Sequence, residues 1–431
     1  GHPMRTVNVG LIGLGTVGSG VVEILDRHAD HFRTRAGVDI ALVKCADRDP
    51  ARAVALGIGP ERFTTEAADV IGDPTIDIVI ELIGGTGVAR EVVLGALAAG
   101  KSVVTANKAL MATHGREVMD TAAAHGVDIL FEAAVGGGIP IIGPLKHSLV
   151  SNEIQAVYGI VNGTTNYMLT RMAEDGLDYE TALAEAQARG FAEADPTADV
   201  DGLDAAAKIA ILASIAFNSR VTFADVPAEG IRAITPGDID YARETGYRIK
   251  LMALARRTAG GIDVRVQPTM IRADHPLAQV GGVYNAIYVV GDAVGETMFF
   301  GEGAGSLPAA SAVVGDVIEA ARHIDRGCQA LVGCTCSEEL PVRDVADLET
   351  SYYVRLHVAD EPGVLASVAG IFAAQRVSLA SVIQRHADEG GAEIVWITHR
   401  ASERDVRAAL EQIDALDVVM SIGSVLHVEE L

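Results

Sequence analysis

Apolar and polar positions alternate along this chain in two rhythms, and the way they trade off divides it into three regions. In residues 1–131, short continuous apolar runs at 6–12, 38–46, 76–83, 102–105 and 127–131 alternate with helical spacing at 17–26 and 88–99. Uninterrupted apolar runs separated by helices predict parallel strands buried on both faces, hence a doubly wound, Rossmann-type α/β domain. Residues 132–336 read differently. A glycine-rich stretch at 135–140, a helical stretch to about 149 and a strand at 154–161 lead into a helix-rich middle. Strand-like text follows at 247–256, 262–270, 285–290 and 296–300. That order predicts an α+β domain with an open sheet, suited to substrate binding and dimerisation. The helical stretch 307–330 is expected to pack back on the first domain.

Residues 337–350 are polar and acidic and read as a linker. From 351 to 431 the order is strand (352–358), helix (364–375), strand (379–385), turn (387–391), strand (392–400), helix (403–413) and strand (418–428). This is a ferredoxin-like βαββαβ unit of the kind small regulatory domains use.

At 431 residues the chain has length for two to four domains, and 49% hydrophobic content with few aromatics fits a soluble α/β protein. No apolar run reaches the ~20 residues that a membrane span needs. A formal charge of −24 argues against a nucleic-acid partner. Cys45, Cys328, Cys334 and Cys336 match no zinc spacing and read as free thiols of a cytoplasmic protein. Gly1-His2-Pro3 ahead of Met4 reads as an expression remnant, with no signal peptide after it.

Gly13-Leu14-Gly15-Thr16-Val17-Gly18 is a G-x-G-x-x-G between the first strand and first helix. In that context Gly13 permits the turn and Gly15 lets the backbone approach a pyrophosphate. Gly18 lets the helix pack closely, with its N-terminus facing the phosphates. Asp47 ends the second strand and suits a ribose hydroxyl, which favours NAD. Arg48 follows it and suits a 2′-phosphate, which permits NADP. The loop 28–37 accounts for the long spacing from Gly18 to Asp47. Gly85, Thr86, Asn107 and Lys108 follow the next strands, on the side where open α/β sheets bind ligands.

Lys208 lies in the apolar run 205–217, four residues after Asp204 and downstream of Glu193, Asp195, Asp199 and Asp201. An ammonium on a buried helix needs partners, because desolvating it costs several kcal/mol. An ion pair would meet that need, and so would a catalytic site in which carboxylates orient a substrate and an amine moves a proton. A calcium loop through Asp199 and Asp201 fails, since Lys208 falls where a bidentate Glu is required. Asn162-Gly163-Thr164-Thr165 follows a strand with a turn rich in donors and acceptors.

Together, Gly13–Gly18, Ala106-Asn107-Lys108, 132–140, 162–167 and above all 190–208 resemble homoserine dehydrogenase, with an appended ACT domain marked by Asp360-Glu-Pro-Gly-Val-Leu365. The resemblance covers nearly the whole chain. It implies reversible, NAD- or NADP-dependent oxidation of L-homoserine to L-aspartate 4-semialdehyde in threonine, methionine and isoleucine biosynthesis. Lys208 would give the proton to the aldehyde oxygen, with Lys108 assisting beside the nicotinamide. Glu193 and Asp204, supported by Asp199, would hold the substrate. A monovalent cation, usually sodium, would sit at Val135, Gly137 and Ile139 with Glu132 nearby. L-threonine would act as feedback effector at Asp360, Pro362, Gly363, Val364 and Leu365, and a homodimer or homotetramer is implied. Deleting 351–431 would then leave turnover and remove inhibition. Two other functions share these motifs: a dehydrogenase for another amino acid such as aspartate, and a nucleotide- and amino-acid-binding sensor without turnover. No acyl intermediate forms in the proposed reaction, so no nucleophilic cysteine is required.

Overall fold

A computed structural model of the chain describes residues 4–388 and 390–431. The expression remnant expected at 1–3, and Glu389 of the turn expected at 387–391, lie outside the described residues. The chain forms two compact units, one of Gly1–Val157, Ala207–Val226 and Asn285–Leu340, the other of Tyr158–Ala206, Pro227–Tyr284 and Pro341–Leu431.

The first unit opens with strands β1 (Thr6–Ile12), β2 (Asp39–Ala46), β3 (Phe63–Thr64), β4 (Ile78–Glu81), β5 (Ser102–Thr105) and β6 (Ile129–Leu130). They pair in parallel in the order β3-β2-β1-β4-β5-β6. Strand order reverses between β1 and β4, which opens a crevice at the carboxyl ends where dinucleotides bind. Every residue of β4 and β5 is buried, as a sheet covered on both faces requires. Helices Thr16–Arg27, Val88–Ala98 and Lys108–His125 supply much of the cover. Helix Ser306–Arg326 adds to it: Ala310, Val313, Val314 and Val317 share one apolar cluster with Val7, Val9 and Leu11. Gly20 makes this approach possible, since a Cβ there would stand 2.9 Å from the Cβ of Ala310. The region 28–37, read from sequence as a loop, is helical at Ala29–His31 and Phe32–Ala36 and stops at Gly37 with φ 71°.

The other strands are β7 (Ile154–Ile160), β8 (Tyr247–Thr258), β9 (Gly261–Arg272), β10 (Tyr284–Gly291) and β11 (Gly295–Glu302). Then follow β12 (Glu349–Val358), β13 (Leu379–Asp388), β14 (Gly391–Thr398), β15 (Ala401–Ser402) and β16 (Val419–Val428). In the second unit β8, β9, β16, β12, β14 and β13 follow one another across a sheet, with the short β15 on β12. The last four give the 4-1-3-2 order of the βαββαβ unit read from sequence. Its helices Val364–Ala374 and Glu403–Asp414 cover a core built on Phe372 and Trp396.

The βαββαβ unit is not set apart by a linker, as composition had suggested. Strand β16 pairs in parallel with β9 at His427↔Thr269 and Val428↔Met270. Nor is the segment 337–350 free of the sheet: Ile262 donates to the Pro341 carbonyl at 2.8 Å and Arg343 to that of Ile262 at 2.8 Å. An uncovered β9 would present a row of unpaired backbone groups, and these contacts satisfy them.

Candidate active site

At the crevice of the first unit, Gly13 has φ +105°, and a Cβ on it would lie 2.8 Å from the Leu82 carbonyl. A Cβ on Gly18 would lie 2.1 Å from the Gly13 carbonyl, so only glycine lets the first helix start this close to β1. Gly18→Ala is therefore expected to cost about 1–3 kcal/mol by overpacking and to weaken nucleotide binding. Thermal melts with and without NADPH would detect both effects.

Asp47 sits at the end of β2 and holds the glycine turn. Its carboxylate accepts from the Leu14 amide at 2.7 Å and the Asp49 amide at 2.9 Å, with Arg52 at 3.3 Å. Burial pushes its carboxyl up, but the two amides and Arg52 outweigh that and leave it below the ordinary aspartate value. Gly13, Gly15, Asp47, Arg48, Arg52 and Gly84 line one cleft of about 640 Å³, in the upper part of the ~300–1,000 Å³ range of small-molecule pockets. An extended dinucleotide needs that room.

Sequence reasoning missed Glu81, the residue that organises the crevice. Fully buried at the end of β4, it accepts from the amides of Ile83 (2.7 Å) and Gly84 (3.0 Å), from the Thr105 hydroxyl (3.0 Å) and from Asn107 Nδ2 (3.1 Å). Asn107 also donates to the Gly85 carbonyl at 2.7 Å and caps the next helix by accepting from the Leu110 amide at 3.0 Å. One buried carboxylate thus fixes both the Ile83–Gly85 turn and the helix that begins at Lys108. A lone Glu ending an apolar strand was the available signal. Thr86 is exposed and Lys108 half-buried.

Glu132, expected near a cation site, anchors backbone amides. Its carboxylate accepts from the amides of Ile141 and Ile142 at 2.8 Å each and of Gly143 at 2.7 Å, anchoring the helix Ile142–Lys146. Its own amide donates to Asp316 at 2.9 Å. Val135 and Ile139 are buried, and Gly136 and Gly137 take φ of 75° and 52°.

In the second unit Asn162 follows β7 and caps helix Gly163–Asp175, accepting from the Thr165 amide at 2.9 Å. Its Nδ2 donates to Asp199 at 2.7 Å and to Asp204 at 3.0 Å, drawing two of the predicted carboxylates to one point. The hydroxyls of Thr164 and Thr165 are engaged internally, with the Phe191 carbonyl and with Asn162. Gly163 passes so close to Val283 that a Cβ would meet its carbonyl at 2.8 Å. Glu193 is exposed, and its carbonyl accepts from Gln187 at 3.0 Å. Helix Leu203–Ala216 carries Asp204 and, one turn on along the same face, the buried Lys208. In the βαββαβ unit Gly363 takes φ +92° before helix Val364–Ala374, and Leu365 is exposed.

Comparison with known proteins agrees with these motifs over the whole length. The homoserine dehydrogenase family model matches residues 140–318, the homoserine dehydrogenase NAD binding domain 13–132, and the ACT domain 352–418. A homoserine dehydrogenase of Synechocystis is 48% identical over 98% of this chain and 99% of its own length. One of Bacillus subtilis is 43% identical over 99% of each. The crystal structure of a homoserine dehydrogenase from Thiobacillus denitrificans superposes with TM-score 0.93 at 43% identity, covering 99% of both chains. A hyperthermophilic archaeal homoserine dehydrogenase in complex with NADPH covers 73% of this chain and 98% of its own, with TM-score 0.64 and 29% identity.

Proposed function

This chain belongs to the homoserine dehydrogenase family, and we propose that its Lys208 and Lys108 act on the substrate oxygen while Asp199 and Asp204 hold the substrate ammonium. It is an NAD(P)-dependent oxidoreductase acting on the CH–OH group of homoserine. A nicotinamide dinucleotide held by the Gly13–Gly18 turn and Asp47 would supply or take up the hydride at the substrate's reacting carbon. The residues do the rest. As an aldehyde is reduced, negative charge builds on its oxygen, and the Lys208 ammonium stabilises that charge and gives it a proton. Lys108, at the helix start that Glu81 and Asn107 fix, assists from the nucleotide side.

The observation that carries this reading is the Asn162 amide spanning Asp199 and Asp204, with Asp204 one turn before Lys208. Two carboxylates drawn together repel each other, and a substrate ammonium between them relieves the repulsion through charge-assisted hydrogen bonds. Gly163, Thr164 and Thr165 serve by holding Asn162 still, and Glu193 closes the substrate side. Initial rates with L-homoserine, followed by nicotinamide absorbance beside an amino-acid panel that includes aspartate, test it. Turnover confined to homoserine supports the reading, and preferred turnover of aspartate would overturn it.

For cofactor choice, Arg48 lines the cleft and would hold a 2′-phosphate. Arg48→Ala is expected to raise KM for NADP about tenfold and leave NAD almost unchanged. Equal effects on both would remove Arg48 from that role. The carbonyls of Val135, Gly137 and Ile139, beside the tight turn at Gly136 and Gly137, would hold a monovalent cation, by preference sodium. Glu132 adds negative charge there while anchoring the neighbouring amides. An amino-acid effector, L-threonine, binds the Asp360–Leu365 turn, including Pro362, Gly363 and Val364, where the helix N-terminus favours a carboxylate. The enzyme works as a homodimer or homotetramer in the cytoplasm; no helix of the described residues is long and apolar enough to cross a membrane.

A further inference from the structure

The first unit holds a second pocket whose chemistry the dehydrogenase reaction leaves unused. Met111 and Met119 of the Lys108 helix and Ile211 and Ile215 of the Lys208 helix form its apolar wall. Two cations and two thiols also line it: Lys146, Arg220, Cys334 and Cys336. Arg220 Nη2 lies 3.1 Å from the Cys334 sulfur. The guanidinium fits because Gly115 lacks a side chain; a Cβ there would stand 2.7 Å from Arg220 Nη1. Arg220 Nε is buried and has no hydrogen-bond partner among the described residues.

Cys334 is exposed, and Cys336 lies beside it with its sulfur 3.8 Å from the Ser214 carbonyl oxygen. The segment leading to them is pinned to the Rossmann sheet. Ala330 donates to Asp128 at 2.8 Å and Gln329 to Ser102 at 3.1 Å. A hydrogen bond from Cys336, with Arg220 and Lys146 nearby, brings the Cys334 thiol down to about 5 against the opposing effect of burial. The same pairing, and burial, push Cys336 up.

We propose that Cys334 is a modification site, a thiolate held by Arg220 that low-molecular-weight disulfides S-thiolate, with Cys336 as the resolving thiol. The Cys334 thiolate attacks one sulfur of the disulfide RS–SR, the S–S bond breaks, and RS⁻ leaves. Cys336 then gives up its proton to the first RS⁻ and attacks the Cys334 sulfur, expelling the second RS⁻, which solvent protonates, and closing a Cys334–Cys336 disulfide. The two protein thiols are oxidised and the small disulfide is reduced to two thiols. Because the pocket wall is made of the helices that carry Lys108 and Lys208, an adduct there wedges against both and lowers kcat.

The test uses the full chain. Iodoacetamide labelling at mildly acidic pH, read by peptide mass spectrometry, should alkylate Cys334 at least about tenfold faster than Cys328. Arg220→Gln should shift the Cys334 pH–rate profile upward. With glutathione disulfide near neutral pH, the wild type should yield the Cys334–Cys336 disulfide, and Cys336→Ser should stop at a glutathione adduct on Cys334. A Cys334 profile in the wild type that matches Cys328, or glutathione spread evenly over the cysteines, would overturn the proposal.

Discussion

Replacing Lys208 by alanine is expected to lower kcat for homoserine oxidation by about 10²–10⁴, the usual range for a positioned general acid or base. NADP(H) affinity should persist, because the groups that line the nucleotide cleft come from the carboxyl ends of β1 to β4 and the segments beyond them, far along the chain from Lys208. Lys208 is the stronger candidate of the two lysines on physical grounds. It is buried on an apolar helix one turn after Asp204, and a buried ammonium needs an acidic partner of that kind. Lys108 is half-buried at a helix start and is expected to matter less. Pre-steady-state and steady-state rates for Lys208→Ala, beside NADPH binding by fluorescence, check this. A kcat within a few-fold of wild type would remove Lys208 from proton transfer.

Glu429→Ala should produce the largest loss of stability, about 3 kcal/mol or more, as expected when one partner of a buried ion pair is removed. Glu429 follows β16 and is almost fully buried. It accepts from Arg265 Nη2 at 2.5 Å and from Arg256 Nη2 at 3.0 Å, and Arg256 Nε donates to the Tyr158 hydroxyl at 3.0 Å. Arg265 is itself 2% exposed, with Asp263 3.7 Å away as its other anion. Urea melts should show a lower midpoint at unchanged slope; a loss below about 1 kcal/mol would mean that Asp263 suffices for Arg265. Deleting 351–431 is therefore not the mild change expected from a linked domain. It would strip β16 from β9 and remove Tyr353, Arg355 and Ser424, which donate to the fully buried Asp238. Loss of threonine inhibition after such a deletion would report damage as well as regulation. Substitutions in the turn Asp360–Leu365 isolate the effector site.

Periodicity exposed the parts of this fold that repeat a local rule. The buried runs at β1, β4 and β5 and the G-x-G-x-x-G between strand and helix announced the Rossmann sheet. Regular alternation through 351–431 announced the βαββαβ unit. Long-range pairings left no such trace. That Glu81 gathers two loops, that Glu132 faces three amides, and that Glu429 joins Arg265 across 164 residues depend on which elements meet in space. The acids at 199 and 204 were legible as a cluster. Their brace was not, because Asn162 reads equally well as a turn residue, and here it caps a helix and bridges the carboxylates at once. The linker reading failed for a related reason: polar composition at 337–350 describes exposure and is silent on the backbone hydrogen bonds along Ile262.

The central claim is that Asp204, braced by Asn162, recognises the substrate's ammonium beside Lys208. The most direct measurement is the ratio of kcat/KM for L-homoserine to that for 4-hydroxybutyrate, which lacks the amine, in wild type and Asp204→Asn. The wild type should strongly prefer homoserine, and the ratio should fall about 10–10² in the variant. A ratio unchanged by the substitution would contradict it.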